Sequence, residues 1–106
     1  MDDNVKQALA KLRDRLATLY GPRLKGVYLF GSHARDEADE ESDLDVLIVL
    51  DHIANYSSEI AATSELISEL SLAFDVTISR VFASEKQWRE DQTMFFLLVR
   101  QEAISA

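Results

Sequence analysis

Two aspartates, Asp43 and Asp45, stand one residue apart at the start of an apolar run and could bind a metal ion. Alternate residues of a β-strand project to the same face, so both carboxylates can reach the same divalent cation. Two like charges at the start of a buried strand repel each other and gain nothing from burial unless a cation lies between them. A polar strand start is the alternative, because Asp-x-Asp pairs are common in a chain with nineteen acidic residues.

The Gly31-Ser32 pair, which ten residues separate from Asp43, is a candidate for binding phosphate. It directly follows a β-branched and aromatic run, and at such a position backbone N–H groups and a hydroxyl can contact phosphate oxygens. Glycine also lets a phosphate approach the backbone closely. Taken alone, Gly-Ser predicts only a turn. Its combination with an Asp-x-Asp at this distance and a third acid later in the chain favours chemistry on a phosphate.

Periodicity predicts the elements that position these residues. An apolar stripe of helical spacing predicts a helix over residues 4–20, which Gly21 and Pro22 end. Two buried strands follow, at residues 26–30 and 44–50, and the second is apolar enough for both of its faces to be covered. Between them, residues 33–42 predict a short helix and a loop, whose acids are expected in solvent: Asp36, Glu37, Asp39, Glu40 and Glu41.

The second half of the chain predicts a helix from Ser57 to about Ser71 and a third strand over residues 74–79. In that strand, Asp75 would point away from the apolar face. Ser84 and Gln87 form a capping-box pattern, so helix resumes at about Glu85 and continues, with a break, through residues 94–99. This order predicts one domain, residues 1–106, of α/β (α+β) class with a small mixed sheet of three to four strands and helices packed on one face.

Composition excludes several classes of protein. The net charge of −8 disfavours a protein that grips a nucleic-acid backbone directly. With no cysteine, the chain can form neither a disulfide framework nor a thiolate metal site. It also lacks an apolar run long enough to cross a membrane and an apolar N-terminal signal segment, so a cytoplasmic location is expected.

With these motifs, the sequence resembles the minimal nucleotidyltransferases of the DNA polymerase beta superfamily, whose signature is Gly-Ser, ten residues and Asp-x-Asp. The matching stretch reads GSHARDEADEESDLD and includes the Ala34-Arg35 pair and the Ser42 that often accompany the signature. The resemblance covers nearly the whole chain and implies the polymerase beta-like fold. Asp36 departs from the pattern, because the family commonly has glycine there, and this leaves the conformation of the loop open.

The resemblance implies a Mg²⁺-dependent enzyme with ATP as substrate and two metal ions. Asp43 and Asp45 would hold the metal bound to the triphosphate, and with Asp75 a second metal that activates an acceptor hydroxyl for attack on the α-phosphorus. Asp75 is assigned only by its place on the third strand. Gly31 and Ser32 would bind the terminal phosphates. Arg35 would either pair with a phosphate oxygen or tie down the acidic segment.

Small members of this family resemble the antitoxin half of toxin–antitoxin modules, whose partner is a HEPN-type toxin. In that context the implied reaction is transfer of AMP from ATP to a tyrosine hydroxyl of the toxin. One alternative is a non-catalytic antitoxin that neutralises its partner by occlusion. Another is nucleotidyl transfer to a small molecule, which usually requires a further domain. Homo- or hetero-oligomers are compatible with either kind of antitoxin.

Overall fold

The computed structural model describes residues 1–39 and 41–106. Its elements follow in the order α1 (Asp3–Tyr20), β1 (Leu24–Phe30), β2 (Leu44–Leu50), α2 (Tyr56–Phe74), β3 (Ile78–Ser84), α3 (Glu85–Glu90), α4 (Met94–Glu102) and β4 (Ile104–Ser105). No helix of the described chain is both long enough and apolar enough to span a membrane.

The four strands form one mixed sheet in the order β3-β2-β1-β4. β2 runs antiparallel to β1 and parallel to β3, which places it inside the sheet as its apolar sequence predicts. The two-residue β4 pairs with β1 through Tyr28 and Leu29. These observations confirm the predicted α+β class and the mixed sheet, and they supply the fourth strand.

Helices cover both faces of the sheet. α1 and α2 pack on one face against residues of β2 that include Val46, Ile48 and Leu50. On the other face, Leu47 and Val49 form a smaller core with α4, whose buried residues are Phe96 and Val99. The prediction of helices on one face is therefore wrong, whereas the prediction that both faces of β2 are covered is confirmed.

The chain between β1 and β2 contains turns rather than the predicted short helix. Four of its five acids are exposed, as expected: Asp36, Glu37, Asp39 and Glu41. The fifth, Glu40, lies outside the described residues. Side chains of this stretch form hydrogen bonds with nearby backbone groups. The Asp39 carboxylate, for example, accepts from the Glu41 N–H, and such local bonds compete with helix formation.

The third strand begins four residues later than predicted, and this changes the position of Asp75. α2 continues to Phe74, and Asp75 caps it in a left-handed conformation, with φ 52° and ψ 48°. The Asp75 N–H donates to the carbonyl of Ser71, a bond that closes the last turn of the helix. Aspartate is among the few residues that tolerate this conformation. The strand then begins at Ile78, so the predicted in-strand place of Asp75 is wrong.

Candidate functional site

Asp43 and Asp45 lie at the start of β2, where β2 emerges between β1 and β3. Asp43 is exposed just before the strand, and Asp45 is half-buried as its second residue. Asp45 pairs with Phe30 of β1, whose ring belongs to the core cluster on the α4 face. Because alternate strand residues share a face, both carboxylates lie at the rim of that face.

Gly31 directly follows β1, and its backbone lies against Asp45. Its φ is +76°, a conformation that favours glycine, and a Cβ added at this position would collide with Oδ2 of Asp45. Residues 31–37, called the Gly31 loop below, fold back on themselves. The Arg35 N–H donates to the Gly31 carbonyl at 3.1 Å, and the Glu37 N–H donates to the Ser32 carbonyl at 2.9 Å. The candidate phosphate loop and the candidate metal ligands are therefore direct neighbours.

Asp36 has a φ of 59°, which is also left-handed. The residue that departs from the signature thus keeps a conformation that glycine adopts without strain, and aspartate tolerates it better than most residues. Aspartate at this position is therefore compatible with the turns of the Gly31 loop.

In the part of the chain that the structure describes, the Asp43–Asp45 pair has no cationic partner within bonding distance. No salt bridge to either carboxylate is present among residues 1–39 and 41–106. Burial raises the pKa of Asp45 above its usual value, and the neighbouring charge of Asp43 raises it further. His33 and Arg35 act in the opposite direction from a distance. The pair is thus a site of uncompensated negative charge, which favours a cation.

Arg35 contacts two carboxylates, only one of which belongs to the acidic segment. Its Nε lies 3.2 Å from Oε2 of Glu37, and its Nη1 lies 2.8 Å from Oε2 of Glu102 at the end of α4. The other oxygen of Glu102 accepts from the Gly31 N–H at 3.2 Å. Sequence reasoning missed Glu102, because it lies 71 positions after Gly31 and no local pattern marks it.

The two histidines and the tryptophan make contacts of their own. The His33 ring lies 3.3 Å from the Ser42 carbonyl, a contact that ties the two ends of the segment together. His52 is exposed beside Asp51. Trp88 stacks on Tyr28 at 4.5 Å between ring centroids and packs against the core on the α4 face of the sheet.

A family model described as a nucleotidyltransferase domain matches residues 9–99. The chain belongs to the nucleotidyltransferase domain family. The Methanocaldococcus jannaschii protein MJ0604, provisionally named a protein adenylyltransferase, is 35% identical over 83 residues, which are 78% of this chain and 77% of the relative. The family match confirms the resemblance on which the Gly-Ser and Asp-x-Asp motifs were interpreted.

Solved structures show the same fold for this nucleotidyltransferase. A toxin–antitoxin complex with AMP-PNP superposes with a TM-score of 0.64 and 24% identity, covering 96% of this chain and 71% of the other. A complex of the tri-AMPylated Shewanella oneidensis HEPN toxin with its MNT antitoxin gives a TM-score of 0.56 and 22% identity, covering 96% and 68%.

On β3 of this nucleotidyltransferase, the residue beside Asp45 is Ser79. The parallel register pairs these two residues directly, and Val81 and Ala83 place that side of β3 on the α4 face. Ser79 is exposed and uncharged. Asp75 lies before the strand and lines an open cleft with His33 and Ser42. Asp75 was expected to be a third ligand because of its place on the third strand, and the structure places it before that strand.

The donor set fits a divalent cation only in part. Carboxylate oxygens are suitable Mg²⁺ ligands, and Asp43 and Asp45 supply them from one face. Among the described residues, however, no group of three or more acidic or histidine side chains could hold a metal. Asp43 and Asp45 therefore supply carboxylate oxygens for a cation, and the two-ion site with a third acid stays a prediction.

Proposed function

We propose that this nucleotidyltransferase transfers AMP from ATP to a hydroxyl group of a partner protein. The observation that carries the proposal is the uncompensated Asp43–Asp45 pair in contact with the Gly31 loop, in a chain of this family. Similarity to MJ0604, with its provisional name, supports a protein as the acceptor.

Each residue of the site has a role in this reaction. Asp43 and Asp45 would bind one Mg²⁺ through carboxylate oxygens, while the Gly31 N–H, Ser32 and Arg35 would contact the phosphates of ATP. The bound cation would neutralise charge that develops on the phosphates. The acceptor oxygen forms a bond to the α-phosphorus, the bond from that phosphorus to the β-phosphate oxygen breaks, and pyrophosphate and the hydroxyl proton are released.

The acceptor we propose is a tyrosine of a HEPN-type toxin, which makes the chain an antitoxin. Support comes from the similar complex in which a HEPN toxin is tri-AMPylated and bound to an MNT antitoxin. The net charge of −8 is compatible with a basic, RNA-binding partner surface. Modification of a toxin in the cytoplasm would silence it without a nucleic-acid contact by the antitoxin itself.

The test is transfer of label from ATP with Mg²⁺ to a HEPN-type protein encoded beside this chain. Label at the α-phosphate should enter the partner, and label at the γ-phosphate should not, because the β- and γ-phosphates leave. Asp43→Asn should abolish the labelling, and replacing the modified tyrosine by phenylalanine should remove the acceptor. Asp14→Asn is a matched control, since Asp14 is exposed on α1, far along the chain from the site.

A second candidate function, neutralisation by occlusion alone, is favoured by the observation that, among residues 1–39 and 41–106, no group of three acidic or histidine side chains is placed to hold a metal. Asp43→Asn separates the two functions. If the variant still binds and fully neutralises the partner, binding is the operative function. If the variant binds the partner but leaves the toxin active, nucleotide transfer is the operative function.

A further inference from the structure

Glu102 occupies hydrogen-bonding groups that a nucleotide phosphate would use. Its Oε1 accepts from the Gly31 N–H at 3.2 Å, and its Oε2 accepts from Nη1 of Arg35 at 2.8 Å. Both oxygens of one carboxylate thus contact one backbone amide and one guanidinium. Two of the three groups that we propose as phosphate donors are already bonded to an anion from the same chain.

The carboxylate is held in this position by the structure around it. Glu102 is the last residue of α4, and β4 begins two residues later and pairs with β1 just before the Gly31 loop. The Glu102 side chain is 21% exposed, compared with 66% for Glu37, the other acid on Arg35. Arg35 and the Gly31 N–H both hold the pKa of Glu102 below its usual value, so the carboxylate is ionised at neutral pH.

A triphosphate oxygen and the Glu102 carboxylate cannot share the Gly31 amide, because one N–H donates to one acceptor at full strength. The two anions would also repel each other beside Asp45. Rotation of the Glu102 side chain, without movement of α4 or β4, is the smallest change that would free the two groups.

We propose that Glu102 is a further residue of the nucleotide site, an internal anion that competes with the triphosphate for Gly31 and Arg35 and so weakens nucleotide binding. This inference rests on the proposed function of the site. Arg35 would then have both partners that the sequence allowed. It binds carboxylates in the free protein and a phosphate in the nucleotide complex. Affinity for the nucleotide is then set by the fraction of molecules in which Glu102 has moved away.

The experiment measures, by titration calorimetry, the affinity of AMP-PNP with Mg²⁺ for the wild type and for Glu102→Ala. The expected result is binding about tenfold tighter in the variant, as if about one molecule in ten of the wild type were competent. Glu102→Gln, which keeps the size of the side chain but removes its charge, should bind with intermediate affinity. The chain has only three glycines, so the amide NMR signal of Gly31 can be resolved, and it should shift in free Glu102→Ala.

Glu37→Ala is the matched control, because it removes the other acid on Arg35 without touching the Gly31 N–H. Its effect should be smaller than that of Glu102→Ala. Equal or weaker binding by Glu102→Ala, with an intact NMR spectrum, would overturn the proposal and make Glu102 a positioning residue or an inert one. If neither protein binds the nucleotide, the proposed function fails as well.

Discussion

Acidic side chains lie at both ends of β2, but only at one end are they paired with a cationic side chain. Beyond Leu50, Arg23 contacts Asp51 at 3.2 Å and Glu59 at 2.9 Å, and the Tyr20 hydroxyl donates to Glu59 at 3.0 Å. At the opposite end, Asp43 and Asp45 have no such partner among the described residues. The same strand therefore ends in a closed ionic network on one side and in open negative charge on the other.

The difference separates structural acids from functional ones. Glu59 is only 8% exposed, and a carboxylate this buried is retained in proteins when it is paired and hydrogen-bonded. At Asp51, the His52 N–H and then Arg23 lower the pKa, whereas at Asp45 burial and the Asp43 charge raise it. Acids that stabilise the fold have their partner within the chain. The Asp43–Asp45 pair has no such partner among the described residues, and we expect it to gain one only with a cation.

The largest expected effect on stability comes from breaking the network at the Leu50 end. Arg23→Ala would leave Glu59 buried with only the Tyr20 hydroxyl and should lower the melting temperature by roughly 5–10 °C. Thermal unfolding followed by circular dichroism measures the change. AMP-PNP affinity of the folded variant should match that of the wild type, and a variant that melts normally but loses nucleotide binding would break the comparison.

A carboxylate added to the open end should strengthen the cation site. Ser79 pairs with Asp45 in adjacent strands, which lie about 4.8 Å apart. Ser79→Asp should therefore raise Mn²⁺ affinity about tenfold, a change of ~1.4 kcal/mol in binding free energy. Ser79→Asn controls for shape, and Asp75→Asn should leave the affinity unchanged. Loss of affinity in Asp75→Asn, with no gain in Ser79→Asp, would restore Asp75 as the third ligand.

A smaller effect on stability is expected when the charge of Asp45 is removed from the start of β2. Because the folded pKa of Asp45 lies above its ordinary value, the protonated form is favoured by folding, and stability falls as pH rises from about 3.8 through the folded pKa. At pH 7 without metal, Asp45→Asn should melt ~2–5 °C higher than the wild type. Mg²⁺ should narrow this gap by stabilising only the wild type. A lower melting point for the variant would show that Asp45 stabilises the free fold.

The elements that follow local rules could be predicted from the sequence. The stripe of α1, the apolar run of β2 and the Ser84–Gln87 capping box have short-range causes, and the structure confirms each of them. The start of β3 could not be placed, because the alternation of Phe74, Val76 and Ile78 fits both a strand and a helix end followed by a loop.

Long-range contacts explain what the sequence could not predict about the site. β4 is two residues long and exists only because it pairs with β1. Glu102 becomes part of the site through the fold, which brings the end of α4 over the Gly31 loop. By contrast, Gly31, Asp43 and Asp45 lie within fifteen residues of one another along the chain, and their proximity could be predicted from a strand, a turn and a second strand.

The most direct test of the account is a Mn²⁺ titration, in the presence of AMP-PNP, of three proteins: the wild type, Asp45→Asn and Asp51→Asn. The two variants make the same substitution at opposite ends of β2. We predict that the wild type and Asp51→Asn bind one Mn²⁺ with similar affinity and that Asp45→Asn loses the site. Retention of Mn²⁺ binding by Asp45→Asn, or equal loss in both variants, would contradict the assignment of Asp43 and Asp45 as the cation site.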